Sequence, residues 1–327
     1  MRTIETKKTS EINPVERAKI VRGFNQCFPK HVLTEEVLFW KYSANHYGES
    51  YHALCYDDDQ LVGFISAIPF DYTYHNEHIK VGLTCDIFIV DEARADFTLF
   101  AKLYKSLKDI CLTDKIVCFL GVANENAYTY SVRILRCKEL FTLPFWILPV
   151  RAGNIAKKSW LKPLNVLSLG YAYLSLGINR MVSIFFNLKE GSAICRINVS
   201  DEFLKYRLPD QRYKNVHKEG VDFSYIITND EGIKCAYIML LSENNARSYK
   251  VLCKCVAYIL RNENVDLIMF NGTLNLRQGL LIKTPQKFEP RKIHLTVNYL
   301  TKEYEKQYVD IMNPNGIDFT LLNLDVR

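Results

Sequence analysis

Two asparagines stand where an apolar run, KIVCFLG, passes into VANENAYTYSVRILRCKEL. Asn124 and Asn126 bring side-chain amides, each of which both donates and accepts hydrogen bonds. At a strand-to-helix junction such amides can hold a ligand, or one of them can cap the helix, a position asparagine favours. A second set is basic and aromatic: KYRLPDQRYKNVHK, residues 205–218, carries Arg207 and Arg212 among tyrosines. A run of this kind suits an anionic ligand and equally a solvated surface. The ten cysteines contain no CxxC pair, and several lie in apolar runs such as GLTCDIFIV. Buried free thiols in a cytoplasmic setting follow, and neither a metal site nor a disulfide framework is expected.

The elements that must position these residues read as alternating α and β. Residues 13–29 put Ile20, Val21, Phe24 and Cys27 on one helical face, and 34–44 open with Thr34 as an N-cap. YHALCYD and LVGFISAIPF flank the polar turn DDDQ, and a second hairpin turns at HNEH. Residues 96–112 are amphipathic at helical spacing. Strand KIVCFLG, a helix over 126–136 and strands within KELFTLPFWILPV follow. The predicted sheet is mixed, with its central strands joined through helices.

Composition bounds the rest. The chain has 327 residues, 48% hydrophobic and 13% aromatic, enough for two cored domains. A net charge of +6 suits an anionic small ligand, and without a recognition motif it argues against a nucleic-acid reader. The opening residues, MRTIETKKTSEINPVER, lack the apolar core of a signal peptide. The most apolar segment is residues 161–188. Asn165, Asn179 and Arg180 bound or interrupt its uncharged part, so it falls short of the roughly 20 consecutive apolar residues a spanning helix wants. A buried helix or helices linking two domains is expected there, with peripheral membrane contact as the lesser alternative.

The order and lengths of these elements resemble the GNAT acyltransferase fold, and local sequences add to it. FWKYSANHYGES resembles the opening of a bacterial GNAT subgroup, with Trp40, Lys41, Tyr42, Asn45 and Gly48 matching. GLTCDIFIVDEAR resembles that subgroup's fourth strand, with Asp86 and Arg94 in register, and NENAYTYSVRILRCKEL its fifth-strand exit and following helix. NPNGIDFTLLNLDVR, residues 313–327, is similar to its C-terminal ending, where relatives finish in a strand. The resemblance covers nearly the whole chain, most securely about 35–150; the order of the motifs carries it.

The resemblance implies acyl transfer from acyl-coenzyme A to an amine, with no metal. Strand-four backbone at Ile87, Phe88 and Ile89 would hold the pantetheine arm and thioester. The turn DEARADFTLF would hold the pyrophosphate through Arg94, Phe97 and Thr98. Phe97 and Leu99 stand where relatives carry glycine, which narrows that approach. Asn124 and Asn126 would bond the pantetheine or acyl group. Asp86 would orient or deprotonate the amine, or form a structural ion pair. The superfamily's acidic tyrosine falls near Ser131 and Val132; Tyr128 and Tyr130 are close in sequence but on other helix faces, with Tyr130 the neighbouring candidate. Trp40, Tyr42 and Asn45 would line the acceptor side.

The second half echoes the first. SDEFLKYRLPDQRY parallels TEEVLFWKYSANHYG, and a hairpin over 221–241, a helix over 246–264 and a strand over 265–272 follow. The expected organisation is an α/β (α+β mixed sheet) pair of tandem GNAT-like domains, the first complete and the second degenerate. These are an acyl-CoA-binding domain over 1–152, an apolar helical linker over 153–195 and an acceptor-side domain over 196–327. In the shared-cleft expectation, Arg207 and Arg212 hold a nucleotide diphosphate. The implied reaction is N-acylation of a nucleotide-linked 4-amino-4,6-dideoxy sugar in surface polysaccharide biosynthesis. The alternatives are Fem-type aminoacyl transfer to a cell-wall precursor and a non-catalytic GNAT-like binding module.

Overall fold

The computed structural model describes residues 2–324 except 30, 31, 124, 187, 190, 192, 219, 244, 245, 290 and 314. Along the chain lie β1 (Arg2–Lys8), α1 (Pro14–Cys27), α2 (Glu35–Ser43), β2 (Tyr51–Asp57), β3 (Gln60–Tyr74), β4 (Glu77–Ile89), α3 (Leu99–Thr113), β5 (Ile116–Ala123), α4 (Glu125–Arg133), β6 (Lys138–Thr142) and β7 (Phe145–Pro149). Then come α5 (Ala152–Ile155), α6 (Leu164–Phe185), β8 (Cys195–Ile197), α7 (Asp201–Arg207), β9 (Lys214–Lys218), β10 (Val221–Asp230), β11 (Ile233–Glu243) and α8 (Tyr249–Asn262). The last are β12 (Leu267–Asn271), β13 (Ile282–Lys283), β14 (His294–Tyr299) and α9 (Lys302–Gln307).

Local chemistry fixes many boundaries. Asn13 and Glu16 form a capping box on α1, with Pro14 at the first helical position. The Thr34 side chain accepts from the Val37 N–H to start α2, as the sequence predicts. The hairpin β3–β4 turns on His75 and Asn76, both at positive φ.

Two compact units form, and neither is contiguous in sequence. The first comprises Met1–Thr142, Ile194–Tyr206 and Ile293–Ile317. Its sheet runs β1-β2-β3-β4-β5-β14-β6, with β8 added along β3. Leu99, Leu103, Leu107 and Cys111 of α3 pack on one face, against Ala53, Cys55, Ile65 and Ala67. On the other face Gly23 of α1 lies against the Phe88 ring and Tyr42 of α2 lies beside Phe64. The second unit comprises Leu143–Ala193, Arg207–Lys292 and Asp318–Arg327, with sheet order β13-β7-β12-β11-β10-β9. Helix α8 fills its core with Val251, Leu252, Cys255, Val256 and Ile259.

The expected division at 152 and 195 therefore differs from the observed units. Strand β7, read as part of the first domain, pairs antiparallel with β12 in the second unit. Strand β14, from the second half, pairs antiparallel with β5 in the first. The exchange is reciprocal in topology: each borrowed strand flanks the strand that pairs in parallel with the second strand of a hairpin, β4–β5 in one sheet and β11–β12 in the other. Among its described residues, the C-terminal stretch expected as a strand contributes single bridges, Ile317 to Cys195 and Thr320 to Gly272.

Helix α6 also departs from expectation. It was expected to be buried, yet one face is open. Ala172, Leu176, Asn179 and Ser183 are buried, whereas Leu167, Leu174, Ile178, Met181 and Phe185 are exposed. No described helix is long and apolar enough to cross a membrane. All ten cysteines are free and most are buried, as expected.

Candidate functional site

The site begins where two neighbouring strands part. Parallel pairing of β4 with β5 runs from Lys80/Ile116 to Thr84/Gly121 and stops. Each strand keeps its outer partner beyond that point: β4 follows β3 to Ile89/Gly63, and β5 follows β14 to Ala123/His294. Their inner edges therefore open into a V. Gly121 sits at the apex, where a Cβ would come 3.0 Å from Thr296 Oγ1 and 3.2 Å from Thr84 Oγ1.

A bulge in β4 sets the direction of each side chain along the open arm. Phe64 pairs with Phe88 but Ser66 pairs with Cys85, so β4 carries one extra residue. Asp86 stands in the bulge with φ of 52°, a left-handed conformation that Asp tolerates better than most residues. The extra residue resets the alternation. Ile87 and Ile89 pack on the α3 side, Phe88 lies under α1, and Asp86 turns toward α2 instead of following Thr84. The Val90 N–H donates to the Val62 carbonyl, so by alternation the Ile89 and Ile87 N–H groups face the opened edge.

Asp86 is enclosed. Its side chain has 0% exposure, it forms a buried ion pair with Lys41 Nζ, and it accepts from the Tyr42 hydroxyl at 2.7 Å. Ser66 Oγ lies 3.0 Å from that hydroxyl. Burial, reinforced by the Asp86 charge, pushes the Tyr42 hydroxyl well above its usual range, so it remains a donor. His52 adjoins this network, its ring 4.6 Å from that of Tyr42 and its Nε2 2.9 Å from Thr9 Oγ1. Burial drives the His52 imidazole down to about 3, with Asp86 opposing and Lys41 adding to the shift. Of the two roles expected for Asp86, the geometry matches the structural ion pair and not the cleft base: its carboxylate meets Lys41 and Tyr42, and it pins the bulge. Tyr42 belongs to the same network and not to an open acceptor wall.

The other expected residues separate. Asn45 is buried and donates to the Pro69 carbonyl at 2.6 Å, a structural role in place of the expected acceptor contact. Trp40 is half-exposed, its ring 5.4 Å from that of Tyr206. Arg94 bridges the β4 exit, donating from Nε to the Ile89 carbonyl at 3.0 Å and pairing with Asp91 at 2.6 Å. Phe97 projects from the turn at 80% exposure. At the start of α3 the Asp96 carboxylate accepts from the Thr98 N–H at 3.0 Å and Thr98 Oγ1 at 2.6 Å. Those hydrogen bonds hold the Asp96 carboxyl below its usual range. A carboxylate thus stands at the helix end expected to receive a pyrophosphate. Asn124 lies outside the described residues, as does the side chain of Asn126. Tyr130 is exposed on α4.

The basic segment 205–218 is largely used in packing. Arg207 is buried and donates from Nε to the Leu322 carbonyl at 3.1 Å, which corrects its expected role at a diphosphate. Tyr206 is buried with its hydroxyl on the Lys41 carbonyl, and Lys214 pairs with Glu263 at 2.6 Å. Arg212 is exposed, its guanidinium 5.7 Å from the Tyr213 ring centroid.

Sequence reading missed a cluster at the open end of the V. His294, opposite Ala123 at the end of β5, has Nδ1 2.7 Å from Glu139 Oε1. Tyr128 of α4 donates to Glu139 Oε2 at 2.5 Å and stacks on the His294 ring at 4.0 Å. The contact with a carboxylate assigns the proton to Nδ1, leaving Nε2 as the basic nitrogen. Glu139 stays low: burial works against its charge, but bonds from Tyr128 and His294 outweigh it. Histidine on a short strand 155 positions from its carboxylate leaves no local motif. A cavity of about 340 Å³, lined by Tyr104, Lys108, Leu112, Ile134, Leu135 and Leu300, lies toward the opposite end of β14.

No protein-family model matches the chain, and no curated protein matches it. Solved structures do. A conserved Enterococcus faecalis protein bearing the name "Probable N-Acyltransferase" is 12% identical, with a TM-score of 0.56 over 93% of this chain and 74% of that one. The chain has the GNAT fold. GCN5-related N-acetyltransferases from Anabaena variabilis and Kribbella flavida align as widely. The first is 8% identical at TM-score 0.57, covering 91% of this chain and 73% of that one. The second is 10% identical at TM-score 0.58, covering 91% and 71%. The mixed α/β class and the GNAT arrangement of sheets agree with the sequence expectation.

Proposed function

We propose that this chain transfers an acyl group from acyl-coenzyme A to an amine. The observation that carries the reading is the parting of β4 from β5 beyond Thr84 and Gly121, with β4 backbone N–H groups facing the gap. An extended pantetheine arm can pair with such an edge as a short strand would. Donors fixed beside the thioester carbonyl stabilise the oxyanion of the tetrahedral intermediate. The amine nitrogen attacks the carbonyl carbon, the C–N bond forms, and the C–S bond breaks to release the thiolate. His294, oriented by Glu139, is the proposed acceptor of the amine proton, the same division of labour as in a His–carboxylate pair that activates a nucleophile.

The proposed acceptor is a nucleotide-linked 4-amino-4,6-dideoxy sugar of surface polysaccharide biosynthesis. Its support is the resemblance of the local motifs and the net charge of +6, which suits an anionic acceptor. Among residues expected to meet its diphosphate, Arg212 retains an exposed guanidinium.

One observation favours a second reading, a GNAT-like module that binds without catalysing transfer. Asp96 occupies the amide and hydroxyl of Thr98, and Asp91 engages Arg94. Carboxylates at a helix N-terminus compete with phosphate for the same positive end. Melting the protein with and without acetyl-CoA or a longer acyl-CoA tests acyl-CoA binding, because at a hundred times Kd a ligand adds about 2.7 kcal/mol to stability. A melting point unmoved by any acyl-CoA overturns the donor assignment. Binding without acylation of a panel of nucleotide amino sugars, read by mass spectrometry, removes the proposed acceptor. If amines outside that panel also stay unmodified, the module reading stands.

A further inference from the structure

Helix α6 is apolar on its outward side. On an ordinary surface helix apolar residues face the core and polar ones face water. Here Ala172 and Leu176 share the inward side with several polar residues. Asn165 exchanges hydrogen bonds with Asn154, Ser168 Oγ donates to the Val150 carbonyl at 2.9 Å, and Asn179 meets the Tyr249 hydroxyl. Ser175 and Ser183 are buried beside them. The outward side carries Leu167, Tyr171, Leu174, Ile178, Met181 and Phe185, all exposed. They recur at alternating steps of four and three, one stripe along the whole helix. Val166 and Ile184, also exposed, widen it beyond a narrow seam. At 1.5 Å per residue the strip from Leu167 to Phe185 is about 27 Å long on the 22-residue helix. A continuous apolar strip of this size marks a surface that is covered in use.

Charge selects what covers it. From 151 to 189 the sequence holds no aspartate or glutamate, but it holds Arg151, Lys157, Lys158, Lys162, Arg180 and Lys189. Lys157 is met by Glu231 at 3.1 Å and Arg151 lies 4.0 Å from Asp266. Lys158, Lys162, Arg180 and Lys189 are exposed. Exposed Trp160 precedes the strip and Phe186 follows it. A second copy docked here would bring these cations against their own kind with no acid in the segment to offset them. We propose that α6 lies in the plane of an anionic membrane surface, its apolar strip among the acyl chains and its cations at the headgroups. Basic residues around an apolar face and aromatic rings at its ends suit that boundary.

The test uses the full chain with vesicles of phosphatidylglycerol and phosphatidylcholine, against phosphatidylcholine alone, in co-sedimentation. Binding is expected to anionic vesicles and to weaken with salt. The double variant Leu174→Glu/Ile178→Glu, both at exposed positions, is expected to bind at least tenfold more weakly with an unchanged melting point. Lys158→Glu/Lys162→Glu, which leaves the strip intact, is expected to lose tenfold or more on anionic vesicles only, each cation being worth about fivefold there. Absence of binding to anionic vesicles, or binding indifferent to both variants, overturns the proposal. So does lipid-free self-association that Leu174→Glu/Ile178→Glu abolishes, since the strip would then be covered by a second copy.

Discussion

Removing one partner of the Lys41–Asp86 pair is expected to cost far more than removing both charges. The Lys41 and Asp86 side chains are 6% and 0% exposed. Lys41→Met leaves a carboxylate in the interior with the Tyr42 hydroxyl as a remaining donor. Asp86→Asn leaves an enclosed ammonium. Stranding one member of a buried pair costs about 3–5 kcal/mol, whereas neutralising both is often close to neutral. The Asn at 86 also keeps a residue type that accepts the positive φ of the bulge. Lys41→Met/Asp86→Asn is therefore expected within about 2 kcal/mol of the parent. Guanidinium unfolding followed by tryptophan emission reads this, because Trp40 adjoins Lys41 on α2. Each single variant should lower the transition midpoint with unchanged slope. Two single variants each within about 1 kcal/mol of the parent would refute the enclosed pair. A double variant as unstable as the sum of the singles would show that the charges do not compensate one another.

His52 predicts acid lability. Its folded pKa of about 3 lies below the ordinary 6.5, so it stays neutral folded and takes its proton only on unfolding. Its contribution is complete above pH 6.5 and is lost at about 1.4 kcal/mol per pH unit as pH falls toward 3; His52→Gln should flatten that slope, and an unaltered stability profile would exclude His52 as the cause. Arg94→Ala is expected to weaken acyl-CoA by about 1–2 kcal/mol in titration calorimetry, and Asp96→Asn to tighten it about two- to fivefold by removing a competing anion. Unchanged affinities would take this turn out of the pyrophosphate site. His294→Ala should lower kcat about 10²-fold or more with acyl-CoA affinity intact, and Glu139→Gln should lie between. Full activity in His294→Ala would mean that another group, or water, takes the amine proton.

Local pattern was enough for most elements. Thr34 with the spacing behind it gives α2, the polar turns give the hairpins of β2–β3 and β3–β4, and the helical spacing of Phe97, Phe100, Leu103, Leu107 and Ile110 gives α3, although the face it buries is Leu99, Leu103, Leu107 and Cys111. These signals lie within a few residues of what they determine, so sequence carries them. Strand β1 escaped because RTIETKK holds one apolar residue, Ile4, and shows no strand pattern until β2 supplies its partner. The candidate site was legible in part. Asp86 and Arg94 were singled out, but the direction of Asp86 depends on one extra residue in β4 relative to β3, which no single strand reveals. The pairing of His294 with Glu139 and Tyr128 was invisible, since His294 lies 155 positions from Glu139. The exchange of β7 and β14 was also undecided. FWILP and HLTVNY are each able to pair with any apolar sheet, and only competition among long-range partners selects the edge each one joins. In α6 composition alone predicted burial. Tertiary packing chose the side, seating the amides and hydroxyls of Asn165, Ser168 and Asn179 on partners inside beside the buried Leu176 and leaving Leu167, Leu174 and Ile178 facing out. Buried polar groups need partners, so their hydrogen bonds and not the hydrophobic average fixed how the helix is turned.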